Sequence, residues 1–406
     1  MPEDGRGRRI LFVNHVCYLD DSNGAAIASR AQMEALARHG FVVEALTGSV
    51  LELDEAADPD AWLAARGLDR PVIGGTWTAD ARGVRDDIPP HYRTTHNGVS
   101  ITIHAGQPTR RHDPGPVEHA GFVRLFEAIA ARAHPDVVVG YGGSRMIAEV
   151  FARARARGAA TAFWLHNLAY LDRSPFADVD AVVVPSRFSA EHYRRSLGLD
   201  CRVLSNLVDF DRVRCGRSGQ GYVTFVTPSI EKGAYAFARI ADELGRSRPD
   251  IRFLLVEGRG TEATIAACGL DLRRHGTVHF INHTPDPRQF WGESRICLMP
   301  SVGMESQGLV AIEAMINGIP VIASDRGALP ETLGGSGIVL PLPDRITPAT
   351  RMLPTAAEVG PWVEAIIRLW DDPALDEEHR RRALAEARRW DPDVLEPRSV
   401  AFFRSL

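Results

Sequence analysis

The stretch Ile296-Cys297-Leu298-Met299-Pro300-Ser301-Val302-Gly303-Met304-Glu305-Ser306-Gln307-Gly308-Leu309-Val310-Ala311-Ile312-Glu313-Ala314-Met315-Ile316-Asn317-Gly318-Ile319-Pro320-Val321-Ile322-Ala323-Ser324 decides the fold. Its apolar run Ile296 to Met299 stops at Pro300-Ser301, which predicts a short buried strand. After a small polar loop, Leu309, Val310, Ile312, Ala314, Met315 and Ile316 predict a helix that leaves through Asn317-Gly318. Pro320 to Ala323 opens the next strand. A strand–loop–helix–strand unit of this kind carries ligands at the carboxyl ends of its strands.

Glu305 precedes the helix, Glu313 lies inside it, and Gln307-Gly308 sits near its first turn. Unsatisfied first-turn N–H groups and the helix dipole suit a phosphate, and Gly308 lets an anion approach the backbone. Carboxylates repel phosphate but accept hydrogen bonds from hydroxyls. The matching ligand has phosphate in its middle and hydroxyl-rich groups on both sides, as a nucleotide sugar does.

Pro300-Ser301, Glu305, Gly308-Leu309, Glu313-Ala314-Met315, Gly318 and Pro320 to Ser324 resemble the signature of family 4 retaining glycosyltransferases of GT-B fold. The resemblance implies an α/β chain of two Rossmann-like, doubly wound domains facing across a cleft. Residues 1–210 would form an acceptor-side domain and 220–385 a nucleotide-sugar domain, with a helix at 386–406 crossing back to the first. It also implies that Glu305 meets the transferred sugar and Glu313 the ribose, over a diphosphate resting on Gln307, Gly308, Leu309 and Val310.

Working outward, Arg9 to Asn14 predicts a first strand, followed by a polar loop ending in Ser22-Asn23-Gly24, a helix from Ala25 to Arg38, and a strand from Phe41 to Leu46. In the resembled family that loop borders the donor phosphates and the acceptor, which makes Gly24 a candidate contact. Residues 48–118 are the least legible: a helix over Ala56 to Gly67, loops at Gly74-Gly75 and Gln107 to Pro116, and a hairpin turn at Thr95-His96-Asn97-Gly98 before an alternating strand. The βα rhythm returns from Val117. Arg153 and Arg157 share a helix face that suits either solvent or an anionic acceptor or lipid.

His166 follows a strand directly and matches the family histidine that faces the donor sugar. Arg202 to Asp209 resembles the family's domain boundary, and Cys215 to Gln220 has linker composition. A second βα series then starts at Tyr222. Its first loop, Pro228-Ser229-Ile230-Glu231-Lys232-Gly233, lets Lys232 place an ammonium on the donor diphosphate with Ser229 beside it. Many members of the family begin this loop with an arginine, where this chain has Thr227-Pro228; either another basic residue, such as Arg259 or Arg326, supplies the second cation, or the phosphate is held more loosely. Gly258 and Arg259 end a strand on the nucleobase side.

Composition bounds the rest. The chain has 406 residues, 45% apolar and 24% charged, which is the profile of an ordinary globular protein of two or three domains. A formal net charge of −5 gives no general attraction to nucleic acid. Cys17, Cys201, Cys215, Cys268 and Cys297 are odd in number and scattered, which fits a reducing cytosol and offers no zinc site. With no apolar signal core or spanning segment, a cytoplasmic location is expected, with peripheral membrane contact open. Asp178-x-Asp180 and Asp209-x-Asp211 are metal-like pairs, yet no metal and no cofactor is expected beyond the co-substrate, a UDP-sugar favoured.

Gly258-x-Gly260 suggests a dinucleotide site, but Ala263 replaces the third glycine and no acidic residue ends the following strand. The expected activity is hexosyl transfer, with retention, to a small-molecule, glycan or lipid-linked acceptor. The alternatives are a catalytically silent nucleotide-sugar-binding protein of the same fold and a sugar-nucleotide epimerase of related architecture.

Overall fold

The computed structural model describes residues 7–52, 57–66, 72–73, 89–106, 108–216 and 221–406. The loop expected at Gly74-Gly75, Gln107, and Arg217 to Gln220 of the linker lie outside them.

The chain divides into two compact units: Met1–Pro185 with Ala190–Leu207 and Glu396–Leu406, and Ser186–Ser189 with Val208–Leu395. The first is built on a nine-stranded sheet: β1 (Arg9–Val16), β2 (Val42–Val50), β3 (Val72–Ile73), β4 (His91–His96), β5 (Val99–His104), β6 (Val137–Gly140), β7 (Ala160–Trp164), β8 (Ala181–Val184) and β9 (Cys201–Val203). Their spatial order is β3-β4-β5-β2-β1-β6-β7-β8-β9. The strands from β5 to β9 pair in parallel, whereas β3–β4 and β4–β5 are antiparallel. The hairpin turn read at Asn97-Gly98 joins β4 to β5, with φ of 45° and 82° at those residues, the left-handed pair that a tight hairpin needs.

The second unit holds six parallel strands: β10 (Tyr222–Val226), β11 (Arg252–Val256), β12 (Val278–Ile281), β13 (Ser294–Met299), β14 (Val321–Ser324) and β15 (Ile338–Leu340). Their order is β12-β11-β10-β13-β14-β15, so the winding reverses between β10 and β13. A reversal of this kind opens a crevice at the carboxyl ends of the two strands where it occurs. The strands read as near-continuous apolar runs because helices cover both faces; Phe225, Phe237, Ile296, Leu298 and Trp362 are all buried in the resulting core.

In the first unit the reversal falls between β1 and β6. The closing helix Pro392–Ser405 belongs largely to this unit. Phe403 stacks on Trp164 at 6.2 Å between centroids, and Ser399 donates to Gln32 Oε1 at 3.0 Å. Two expectations lose their functional reading here. Arg153 and Arg157 are ion-paired to Glu127, and Arg153 also to Glu149, so this helix face is charge-compensated rather than basic. Asp180 accepts from the Thr161 N–H and hydroxyl, and Asp209 caps the short helix Phe210–Val213, so one carboxylate of each metal-like pair has a structural task.

Candidate functional site

Helix Leu309–Ile316 starts where the sequence places it because Gly308 adopts φ 84°, a left-handed conformation that costs other residues strain. A Cβ on Gly308 would also lie 2.7 Å from Leu329 Cδ2. The Ala311 N–H is bonded to the Gly308 carbonyl at 3.0 Å, which leaves the amides of Leu309 and Val310 ahead of the first intrahelical bond. No acidic residue lies in that turn to cancel the positive end of the dipole. Gln307 is buried, and its carbonyl accepts from the Thr332 hydroxyl.

Glu305 is held from both ends. Its carbonyl accepts from the Ala328 N–H at 2.8 Å, and Gly327, at φ 69°, packs so tightly on Glu305 that a Cβ would sit 2.3 Å from the same oxygen. Its carboxylate takes the Lys232 ammonium on both oxygens, at 2.7 and 2.8 Å, and the Ser301 hydroxyl at 2.8 Å. Burial pushes the Glu305 carboxyl up, but Lys232, Ser301 and the charge of Arg259 outweigh it and hold the carboxyl below its ordinary value.

Lys232 arrives through the β10 loop, which is keyed to the β13 loop by backbone. The Val302 and Gly303 amides donate to the Glu231 carbonyl at 3.0 and 2.9 Å. Gly233, at φ 94°, approaches the Pro300 carbonyl so closely that a Cβ would lie 1.9 Å from its oxygen. Ser229 Oγ accepts the Lys232 N–H at 3.3 Å, so Ser229 shapes the turn. Thr227 stands at φ 55°, an unusual conformation for a β-branched residue. Gly258 and Gly260 pack against it: Cβ atoms there would lie 2.7 Å from Thr227 Oγ1 and 2.2 Å from the Pro228 carbonyl carbon. The glycines of the dinucleotide-like fragment thus serve the fit of two loops.

Of the two arginines left to replace the family's cation, Arg326 is committed to the Leu342 and Pro343 carbonyls at 3.0 and 3.4 Å. Arg259 instead lies where its charge acts on Glu305. Glu313, one and a half helical turns beyond Gly308, accepts from Trp291 Nε1 at 3.2 Å. Burial raises its carboxyl, only partly offset by Trp291 and Arg212.

In the first unit, Gly24 is the first residue of helix Gly24–Arg38, capped by Asn23, and a Cβ there would meet nothing within 4 Å. His166 stacks on Trp164 with ring planes 5° apart and shares a 3.0 Å hydrogen bond between Nε2 and Ser29 Oγ. Burial drives the imidazole down to about 3, which keeps it neutral at ordinary pH.

The structure therefore brings together Lys232, Ser229, Glu305, Gln307, Gly308, Leu309 and Val310, with Gly258 and Arg259 beside them. Sequence reasoning gave Lys232 and Glu305 separate partners, whereas here they hold one another. It assigned no role to Ser301, although it quoted it, and it missed Trp291 and Gly327; only Gly327, after an Arg, carried a local turn signal.

Residues 221–372 match the family model described as glycosyl transferases group 1. A Corynebacterium glutamicum protein described as a GDP-mannose-dependent monoacylated alpha-(1-6)-phosphatidylinositol monomannoside mannosyltransferase is 28% identical over 166 residues, or 39% of this chain and 38% of that one. The match thus spans less than half the length of that curated relative. Among solved structures, sucrose-phosphate synthase from Thermosynechococcus elongatus aligns with a TM-score of 0.69 at 17% identity, over 98% of this chain and 99% of that one. Anabaena HepE in complex with UDP-glucose aligns with a TM-score of 0.66 at 15% identity, over 98% of this chain and 100% of that one. The fold is that of the GT-B glycosyltransferases. Among the described residues no helix is long and apolar enough to cross a membrane.

Proposed function

We propose that this protein is a retaining glycosyltransferase that moves a hexose-type sugar from a nucleotide diphosphate sugar to an acceptor hydroxyl. The observation that carries the reading is the Lys232–Glu305 pair beside the open first turn of helix Leu309–Ile316, inside the segment that matches the group 1 family.

An ammonium has three N–H donors. Glu305 takes two from Lys232, which leaves the third for a diphosphate oxygen, with the Leu309 and Val310 amides and Arg259 completing the anion's surroundings. These donors are in place before negative charge builds on the leaving diphosphate, which is how electrostatic preorganisation lowers a barrier. Glu305, kept ionised, accepts from a hydroxyl of the sugar, and Glu313 accepts from the ribose. With the Glu305 carboxylate engaged by Lys232 and Ser301, the preferred mechanism is attack by the acceptor on the face the diphosphate leaves, with the diphosphate taking the acceptor proton.

A UDP-sugar is the favoured donor, and the mannosyltransferase relative makes GDP-mannose its chief competitor. The name of that relative also supports a lipid-linked acceptor. Incubation with UDP-, GDP-, ADP- and TDP-sugars, following nucleotide release and product anomers, tests the reading. Release from one donor, abolished in Glu305→Ala, is expected. An inverted product would remove the mechanism, and binding without turnover on any acceptor would favour a silent nucleotide-sugar-binding protein.

A further inference from the structure

At the carboxyl end of β1, on the first unit's own reversal point, three side chains from three segments converge. His15 comes from β1, His112 from the loop before helix Pro116–Ala133, and Glu118 from the first turn of that helix. One carboxylate faces both imidazoles: His15 Nε2 lies 2.9 Å from Glu118 Oε1, and His112 Nε2 lies 2.8 Å from Oε2. The rings meet edge to face at 5.0 Å, and the three ligand atoms lie within 4.8 Å of one another. Two glycines clear the space. A Cβ on Gly48 would lie 3.0 Å from His15 Cδ2, and one on Gly106 would lie 2.3 Å from Glu118 Oε1.

A further contact orients the ring from the far side of His112. Its Nδ1 lies 2.9 Å from the Arg110 carbonyl oxygen, which can only accept. Nδ1 therefore carries a proton, and Nε2 is aimed at the Glu118 carboxylate. What joins Nε2 to the carboxylate oxygen at 2.8 Å is either a second ring proton, as in an imidazolium–carboxylate pair, or a metal ion. An imidazole whose second nitrogen donates to a backbone carbonyl is the usual arrangement of a metal-bound histidine.

We propose that His15, His112 and Glu118 form a divalent zinc site. Two imidazoles and one carboxylate make a three-ligand zinc set with one coordination position open. Ligand atoms about 2.0–2.2 Å from a tetrahedral ion are about 3.3–3.6 Å apart, so the imidazole–carboxylate contacts of 2.8 and 2.9 Å would open by about half an ångström to admit the ion. His112 is the most exposed of the three, at 20% of its side chain against 11% for His15 and 9% for Glu118, so the cluster is reached from solvent by way of His112. The cysteine pattern gave no hint of such a site, and it departs from the expectation that no metal is held.

The test uses tag-free, full-length protein, stripped with a chelator and dialysed against zinc chloride, with bound metal measured by elemental analysis. One zinc per chain is expected, lost in His112→Ala and in Glu118→Gln and kept in His119→Ala, a neighbouring histidine that pairs with Glu149 instead. Far-UV circular dichroism checks that each variant is folded. Cobalt loaded into the unmutated protein gives an independent readout, intense visible bands of a low-coordinate site. Absence of stoichiometric zinc from the unmutated protein, or its full retention in a folded His112→Ala chain, overturns the proposal and leaves a proton in the gap.

Discussion

The two units solve the same geometric problem in different ways. Each has a winding reversal that opens a crevice at the carboxyl ends of two strands. In the second unit the loops there are fitted by backbone: Gly233 on Pro300, Gly260 on Pro228, Gly327 on Glu305. In the first, the corresponding edge is held by side chains from distant segments: His15 and His112 on Glu118, Asn23 and Arg111 on Glu52, at 2.8 and 2.9 Å. A turn made by glycine contacts leaves almost no room for a substitution, which suits the preorganised diphosphate site proposed above. An edge made by side-chain pairs can change its chemistry residue by residue, which suits recognition of a particular acceptor.

Substitutions can break or sharpen this contrast. The largest effect is expected for Lys232→Met. On the proposed reading it removes a donor from the leaving diphosphate, and turnover with the preferred donor should fall by roughly 10²–10³-fold, measured as nucleotide release. Undiminished turnover would place the diphosphate elsewhere.

Next comes Gly233→Ala, which meets the Pro300 carbonyl and a left-handed φ together. The cost should exceed about 2 kcal/mol in denaturant unfolding of the second unit. A loss below that would show that the two loops slide apart easily, contrary to the close fit.

A pH series separates the two glutamates by sign. The folded Glu305 carboxyl lies below its unfolded value, so its stabilisation is present above the ordinary carboxylate range and lost as pH falls through the folded value. The folded Glu313 carboxyl lies above its unfolded value, so its contribution is present at low pH and lost as pH rises through the folded value. Glu305→Gln should therefore destabilise at neutral pH and converge on the unmutated protein in acid, whereas Glu313→Gln should gain on the unmutated protein as pH rises, because only the latter loses stability there. Parallel profiles for the two variants would refute the assignment.

The smallest effect is expected at the matching turn of the first unit. Gly24 begins a helix and has open space beside it, so Gly24→Ala should be neutral or gain up to about 0.5–1 kcal/mol in denaturant unfolding. A clear loss would mean that this turn too is a backbone fit.

What could be read from the residues follows the same division. The motif around Glu305 was legible because its devices are local: an apolar run ended by Pro300, a left-handed Gly308 at the helix start, a helix ended by Asn317-Gly318 at φ 61°. The hairpin at Asn97-Gly98 was legible for the same reason. The antiparallel edge formed by β3 and β4 was not, since nothing near Val72 states which strand will accept it. Arg259 and Arg326 looked equivalent in sequence; only packing separates one that answers to two backbone carbonyls from one whose charge reaches Glu305.

By itself the sequence determined the α/β class, most strand and helix positions, and a glycine-led helix start flanked by the two acids Glu305 and Glu313. These depend on periodicity, turn residues and spacing within about thirty positions, where chain connectivity already limits what can meet. Tertiary structure alone decided that Lys232 and Glu305 share a partner in each other, and that His15 meets Glu118 across a separation of 103 residues. Such pairs form only when strand order and loop closure bring remote segments to one sheet edge, and no local pattern encodes that meeting.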